Sequence, residues 1–190
     1  MTQAQSLWHQ SVKPGVIGGL AALAIALVGM VESFDKRYIV ADVITMGIVL
    51  ILLVAILIAY SAAKKTEQGR KGVAIKNAVI AALVTSGFLA LLVMISKVIN
   101  IRAVLINASP ALNKILMGGV EGAAGIFIIL LVGLLCGIFA GVLYLIPELI
   151  RRVVIISLSS VLMAGLLQDL IRPVMAPWSL LAIISDWLYT

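Results

Sequence analysis

Charged and chemically reactive side chains are scarce in this sequence. Only 12% of the 190 residues are charged, roughly half the fraction that is usual in a soluble domain. The single cysteine, Cys136, has no disulfide partner, and it cannot build a metal site with the single histidine, His9. No glycine-rich loop ends in Gly-Lys-Ser or Gly-Lys-Thr, and one histidine leaves no plausible Ser–His–Asp set. We therefore expect a protein that is not an enzyme and carries no cofactor or metal.

Apolar residues dominate instead. The hydrophobic fraction is 63% and the mean hydropathy is +1.23, so the sequence predicts an all-α integral membrane bundle in contact with the lipid bilayer. The net charge of +6 does not indicate nucleic-acid binding, because the basic residues are sparse and lie between apolar runs. Basic residues in such places set membrane topology.

Five apolar runs predict five transmembrane helices, since about 20 apolar residues cross a bilayer. A polar N-terminal interfacial segment, 1–13, precedes a transmembrane bundle over 14–171. Within the bundle, 96–117 mixes basic and apolar residues and predicts an outer amphipathic segment. Ser109 before Pro110 predicts a helix start there. The tail, 172–190, is too short to span and predicts an interfacial or re-entrant helix. The predicted spans are 14–31, 39–60, 78–95, 118–146 and 153–171.

Glycines recur at a spacing of four in the most apolar run, 118–146, and a similar spacing occurs in the first run. This spacing places glycines on one side of a helix, where another backbone can approach closely. The plainer alternative is that glycine is common in membrane helices. We interpret the pattern as a helix-packing seam through which other membrane subunits could dock. Its residues are Gly15, Gly19, Gly125, Gly133, Gly137 and Gly141.

The distribution of basic residues predicts the orientation. With the N-terminus inside, the inner segments hold eight basic residues and the outer segments six. The segment 61–77 is the densest, with five basic residues against Glu67. Basic segments stay on the cytoplasmic side, so we expect a multi-pass protein of the bacterial inner membrane with a cytoplasmic N-terminus.

Four acidic residues map near the outer ends of the predicted spans. Ionised groups deep in a membrane are functional candidates, but near an interface they cost little, and the structural interpretation is the more common one. Glu121 would also suit the first turn of its helix. If two of the acids converge with Arg102 or Arg172, they could line an outward vestibule, for which the candidates are Asp42, Glu121, Asp169 and Arg102. The fourth acid is Asp186.

Three stretches together resemble a known family: Val28-Gly-Met-Val-Glu32, Ile101-Arg-Ala-Val-Leu-Ile-Asn-Ala-Ser-Pro110 and Gly165-Leu-Leu-Gln-Asp-Leu170. They resemble the N-terminal membrane region of some bacterial branched-chain amino-acid ABC transporter permeases, ahead of the permease core. The resemblance implies a membrane component of an importer for branched-chain or other small amino acids, with an ATPase and a solute-binding protein as partners.

The sequence departs from such permeases because no signature of the cytoplasmic coupling loop is visible, so no transport residue can be transferred. Either the chain is a detached N-terminal region or it is a separate subunit with that architecture. Two further hypotheses stay open. One is a non-catalytic scaffold subunit that docks through the glycine seam, and the other is a small-molecule-binding subunit like those of energy-coupling-factor importers.

Overall fold

The computed structural model describes residues 8–28, 31, 38–40, 44–66, 71–98, 110–120 and 122–175. Within these residues the protein is a bundle of α-helices, and five of them are long and apolar enough to cross a membrane. The predicted all-α membrane fold is therefore confirmed. The helices are α1 (Lys13–Leu27), α2 (Met46–Lys64), α3 (Lys71–Val98), α4 (Pro110–Leu116), α5 (Ala123–Leu145) and α6 (Glu148–Met175).

Helical geometry begins earlier than the sequence indicated. A π-helical turn, Trp8–Val12, leads directly into α1, and the candidate span runs Trp8–Leu27. The boundary predicted between 13 and 14 therefore falls inside a continuous helical segment. Pro14 is tolerated there because it lies in the first turn of α1, where the missing N–H has no intrahelical partner to lose.

The second predicted span is shorter than expected at its start. Two strands, β1 (Tyr38–Val40) and β2 (Ile44–Thr45), form a small antiparallel hairpin before α2. β-branched residues such as Val40 and Ile44 favour this extended backbone. Thr45 then ends the hairpin and begins the helix, because its Oγ1 accepts a hydrogen bond from the backbone N–H of Ile48 at 3.4 Å.

Helix α3 is the centre of the bundle. It contacts α1, α2 and α5, and α2 also contacts α1 and α5. It begins at Lys71, whereas the sequence predicted a basic loop as far as 77. Lys71 and Lys76 are exposed on the first turns of α3, so most of the predicted loop is helix. Long basic side chains can extend from a helix end into the headgroup region, which explains why they do not stop the helix.

Helix α5 begins later than the predicted 118. Gly118, Gly119 and Gly122 have positive φ angles of 62°, 80° and 78°, a region that glycine adopts without strain. They form a turn between α4 and α5. The first turn of α5 contains no acidic residue, which corrects the expectation of a carboxylate there.

Small residues let the helices approach closely. One buried cluster consists mainly of alanines from α2, α3 and α5, including Ala63, Ala78 and Ala140. A second cluster contains larger aliphatic residues, among them Leu50 and Val93. In lipid there is no hydrophobic drive between helices, so close packing of this kind holds them together.

Helix α4, the described part of the outer amphipathic segment, packs onto the bundle. Its described residues begin at Pro110, which the sequence predicted to belong to a helix. Leu112, and Met117 just after the end of α4, are buried in the core, and Ile115 packs against that core. The apolar side of α4 therefore faces protein, while Lys114 is exposed on the other side.

Helix α6 is peripheral. Its main contact is with α2. Only 6% of the residues in its apolar stretch are buried, against 39–50% in the other four spanning helices. It extends to Met175, past the predicted end at 171. The remainder of the predicted C-terminal segment, 176–190, lies outside the described residues.

Candidate functional site

The glycines of α5 lie against α3 of the same chain. A Cβ added at Gly137 would stand 2.7 Å from the Cα of Val79, and one at Gly141 would stand 3.0 Å from the Cα of Ile75. At Gly133 the added carbon would overlap the side chain of Ser86. These distances leave no room for a side chain, so the backbones of α5 and α3 approach each other as closely as glycine allows.

The glycines of α1 also face α3. A Cβ at Gly15 would lie 2.7 Å from Val84 Cβ, and one at Gly19 would lie 2.6 Å from the ring of Phe88. Gly18, which the spacing of four does not include, is equally enclosed: an added Cβ would lie close to Thr85 and to Ile58 of α2. The sequence signal for Gly18 was the pair Gly18-Gly19 itself, since either residue can face a neighbouring helix.

Gly125 has a different environment. Its nearest neighbours are Met117 and the carbonyl of Val120, in the turn that precedes α5. Gly125 is buried, but the close contact that its missing side chain allows is with that turn and not with helix α3. The register with Gly133 did not reveal this difference, because the turn is set by the positive φ angles before α5.

A buried polar network joins three segments at the end of the bundle that holds the π-helical turn and the start of α3. Asn77 of α3 is 3% exposed. Its Nδ2 donates to Gln10 Oε1 at 3.2 Å and to Thr66 Oγ1 at 2.9 Å, and its Oδ1 accepts from Ser11 Oγ at 2.9 Å. One amide therefore connects the π-helical turn, the residue after α2 and α3. No pattern in the sequence indicates this network, because asparagine has no characteristic spacing here.

The same end carries most of the described basic side chains, and we call it the basic end. Tyr60 of α2 contacts Tyr144 of α5, with ring centroids 6.5 Å apart. The Arg151 guanidinium lies 5.3 Å from the Tyr144 ring centroid, and its Nη1 donates to the Tyr144 carbonyl at 2.9 Å. The described basic residues of this end are Lys13, Lys64, Lys65, Lys71, Lys76, Arg151 and Arg152.

Two further polar contacts hold the helices together. Thr85 of α3 is fully buried, and its hydroxyl lies 3.1 Å from the Gly15 carbonyl and 3.0 Å from the Ala81 carbonyl. At the opposite end, Asn113 of α4 donates to Ser96 Oγ of α3 at 2.7 Å. Hydrogen bonds of this kind satisfy polar groups where no water is present.

An apolar cavity of about 200 Å³ lies between α2, α3 and α5, near the end that α4 covers. Its walls are aliphatic except for the hydroxyl of Ser86 and the thiol of Cys136. Its lining residues are Ile48, Ile51, Leu52, Ala55, Ser86, Leu89, Ile115, Leu116, Gly118, Ile128, Ile129, Val132, Gly133 and Cys136.

Helix α6 presents small residues at the middle of its exposed face. Ser157, Ser160 and Ala164 are exposed, and their spacing of three and four places them on one side of the helix. Apolar Val153 and Leu167 flank them on that face and are also exposed, at 57% and 48%. This side of a spanning helix is uncovered by the described chain.

The candidate outer vestibule falls outside the described structure. Asp42, Glu121 and Arg102 lie outside the described residues, as does the side chain of Asp169, whose backbone belongs to α6. Their convergence therefore stays a prediction. Among the residues that the structure does describe, no group of three or more His, Cys, Asp or Glu side chains could hold a metal ion.

No protein-family model matches the chain, and neither a characterised protein nor a solved structure matches it. The resemblance to ABC transporter permeases therefore rests on the three stretches of sequence alone.

Proposed function

We propose that this protein is a non-catalytic membrane subunit of a larger transport assembly. The compact part, α1 to α5, is a rigid scaffold, and α6 is the helix through which it docks onto a second membrane subunit. The specific assembly that we propose is an ABC-type importer of branched-chain or other small amino acids, because the sequence resembles the N-terminal membrane region of such permeases. Its further partners would be an ATPase and a solute-binding protein.

The observation that carries this proposal is the contrast between α6 and the other spanning helices. Only 6% of the residues in the apolar stretch of α6 are buried, whereas 39–50% are buried in the apolar stretches of the other four spanning helices. Apolar exposure alone would suit lipid, but the exposed face centres on the hydroxyls of Ser157 and Ser160. Small and hydroxyl-bearing residues are typical of helix–helix interfaces in membranes and are not needed against lipid.

The glycine seam supports the assignment of α1 to α5 as the scaffold and of α6 as the docking helix. Gly133, Gly137 and Gly141 are covered by α3, so a partner could reach them only by displacing the central helix. A partner subunit therefore docks more readily on α6 than on the seam. The energy-coupling-factor alternative receives less support, because no aromatic side chain lines the described cavity.

The first test is purification of the native complex in a mild detergent, with identification of the partners by mass spectrometry. We expect a second permease chain, an ATPase and a solute-binding protein. The interface is tested with Ala164→Leu, which adds bulk to the proposed docking face. Its matched control is Ala24→Leu on α1, since Ala24 is also an exposed alanine of a spanning helix.

We expect Ala164→Leu to reduce recovery of the membrane partner at least fivefold and Ala24→Leu to leave it unchanged. Equal recovery with both variants would remove α6 as the docking helix. Recovery of an unrelated membrane complex, with neither ATPase nor solute-binding protein, would replace the importer by a scaffold role in that other complex.

A further inference from the structure

We propose that the cavity between α2, α3 and α5 is a binding site for the acyl chain of a membrane phospholipid. This site is separate from α6, so the inference is independent of the proposed transport assembly. The described walls hold no charged group, so the headgroup stays outside and only hydrocarbon enters.

The chemistry of the walls excludes a polar occupant. Leu52 and Ala55 contribute from α2, Leu89 from α3, and Ile128 and Val132 from α5. The polar side-chain groups on the described wall are the hydroxyl of Ser86 and the thiol of Cys136, and a thiol is only a weak hydrogen-bond donor and acceptor. A water molecule needs two to four polar partners, so this wall holds water poorly. An amino-acid zwitterion would leave two charges without partners, which low-dielectric surroundings strongly disfavour.

The size of the cavity suits a stretch of hydrocarbon. An apolar cavity of about 150 Å³ in a soluble protein stays dry and takes up benzene, and this cavity of about 200 Å³ is larger. Interiors are otherwise close-packed, with few voids above the size of a water molecule. A space of this volume, bordered by three spanning helices, therefore has the capacity for a short run of methylene groups.

The position of the cavity identifies the source of that hydrocarbon. It lies along spanning helices, whose other faces meet lipid through exposed residues such as Leu131 and Leu135 of α5. Four residues line the cavity and are only half-buried: Ile128 and Val132 of α5, and Ile48 and Leu52 of α2. Because these side chains are both partly exposed and part of the cavity wall, we infer that the acyl chain enters between α2 and α5. The acyl chains of the bilayer are the apolar groups present there at the highest concentration.

The test is photolabelling of the full chain in vesicles of phosphatidylethanolamine and phosphatidylglycerol. A small fraction of the phosphatidylethanolamine carries a diazirine midway along one acyl chain, and labelled residues are mapped by mass spectrometry. Leu89 reports on the cavity, because it lines the wall and is only 4% exposed. Ile156 of α6, 57% exposed, reports on bulk lipid.

A cavity-filling variant and a matched control complete the design. Val132→Phe fills the cavity from α5, and Val142→Phe makes the same change on the same helix at a residue that is 47% exposed. We expect Leu89 to be labelled in the unsubstituted protein and in Val142→Phe, with at least a fivefold loss in Val132→Phe. Labelling of Ile156 should be equal in all three proteins. Leu52→Phe, which fills the cavity from α2, replaces Val132→Phe if that variant does not fold.

Two results would overturn the proposal. One is labelling of Ile156 without labelling of Leu89 in the unsubstituted protein, which would show that no chain enters. The other is equal labelling of Leu89 in the cavity-filling and control variants, which would show that the label arrives by another path.

Discussion

At the scale of single residues, glycines that lie on spanning helices of this protein have different surroundings. Gly137 lies against the backbone of Val79, whereas an added Cβ at Gly87 on α3 would meet no atom within 4 Å. Both residues belong to spanning helices, so intrinsic helix propensity acts equally on them. The difference in stability between alanine variants at these two positions therefore reports on the close approach of α3 and α5.

We expect Gly137→Ala to destabilise the purified protein by about 1–3 kcal/mol, the usual cost of overpacking a core. Gly87→Ala should stabilise it by up to about 1 kcal/mol, because alanine loses less backbone entropy in a helix than glycine. The measurement is the free energy of unfolding in mixed micelles, for the isolated chain without partners. Equal stability of the two variants would mean that α3 and α5 separate enough to accept a methyl group.

Asn77 also acts at the scale of one residue. Its amide bonds to Gln10 and Ser11 of the π-helical turn and to Thr66 after α2, so the partners come from two segments outside α3. A buried polar group without partners costs more than the bond itself contributes. This explains how an asparagine is tolerated inside an otherwise alanine-rich part of α3.

At the scale of elements, the junction between α5 and α6 is fixed by Arg151. Helix α5 ends at Leu145, and Pro147 precedes the first residue of α6. The last carbonyls of a helix have no intrahelical donor. Arg151 donates to one of them, at Tyr144, while its guanidinium lies over the same tyrosine ring. Arg152 instead pairs with Glu148 on the surface, where both side chains are about 70% exposed (71% and 69%).

Arg151→Ala should lower the free energy of unfolding by about 1–3 kcal/mol, since it removes a charged hydrogen bond and a cation–π contact. Arg152→Ala should cost below about 1 kcal/mol, because exposed ion pairs contribute little. Thermal unfolding in detergent, followed by circular dichroism, compares the two. A larger loss for Arg152→Ala would contradict the role of Arg151 at this junction.

At the scale of the whole molecule, five helices are long and apolar enough to span. We therefore expect the start of the described chain and the end of α6 to lie on opposite sides of the membrane. The basic end collects Lys64, Lys65 and Arg151 with the π-helical turn, and Lys114 of α4 lies at the other end. From the distribution of basic residues, we expect the basic end to be cytoplasmic.

Site-directed labelling tests this orientation. In a Cys136→Ala background, Lys65→Cys and Lys114→Cys each introduce a single thiol at an exposed position. We expect a membrane-impermeant maleimide, added to intact cells, to label Lys114→Cys but not Lys65→Cys, and to label both after permeabilisation. The reverse pattern would invert the orientation, and labelling of both in intact cells would contradict spanning by the bundle.

The sequence by itself determined the class of the protein. Its apolar runs are long enough to span a bilayer. The length and hydropathy of a run are local properties, which do not depend on the helices that pack against it. The helical fold and the positions of the small residues on α1 and α5 followed from the same local periodicity. The helical conformation of Pro110 also followed, because the fixed φ of proline suits a first helical turn.

Only the tertiary structure decided which partner each surface meets. Spacing places Gly133 and Gly137 on one side of α5, but it does not say whether that side faces α3 or another subunit. It also does not distinguish Gly125, which packs on a turn. The cavity and the Asn77 network join residues from several helices, so they arise from packing and not from any periodicity. Periodicity assigns faces, and packing alone assigns neighbours, because neighbours depend on residues distant in the sequence.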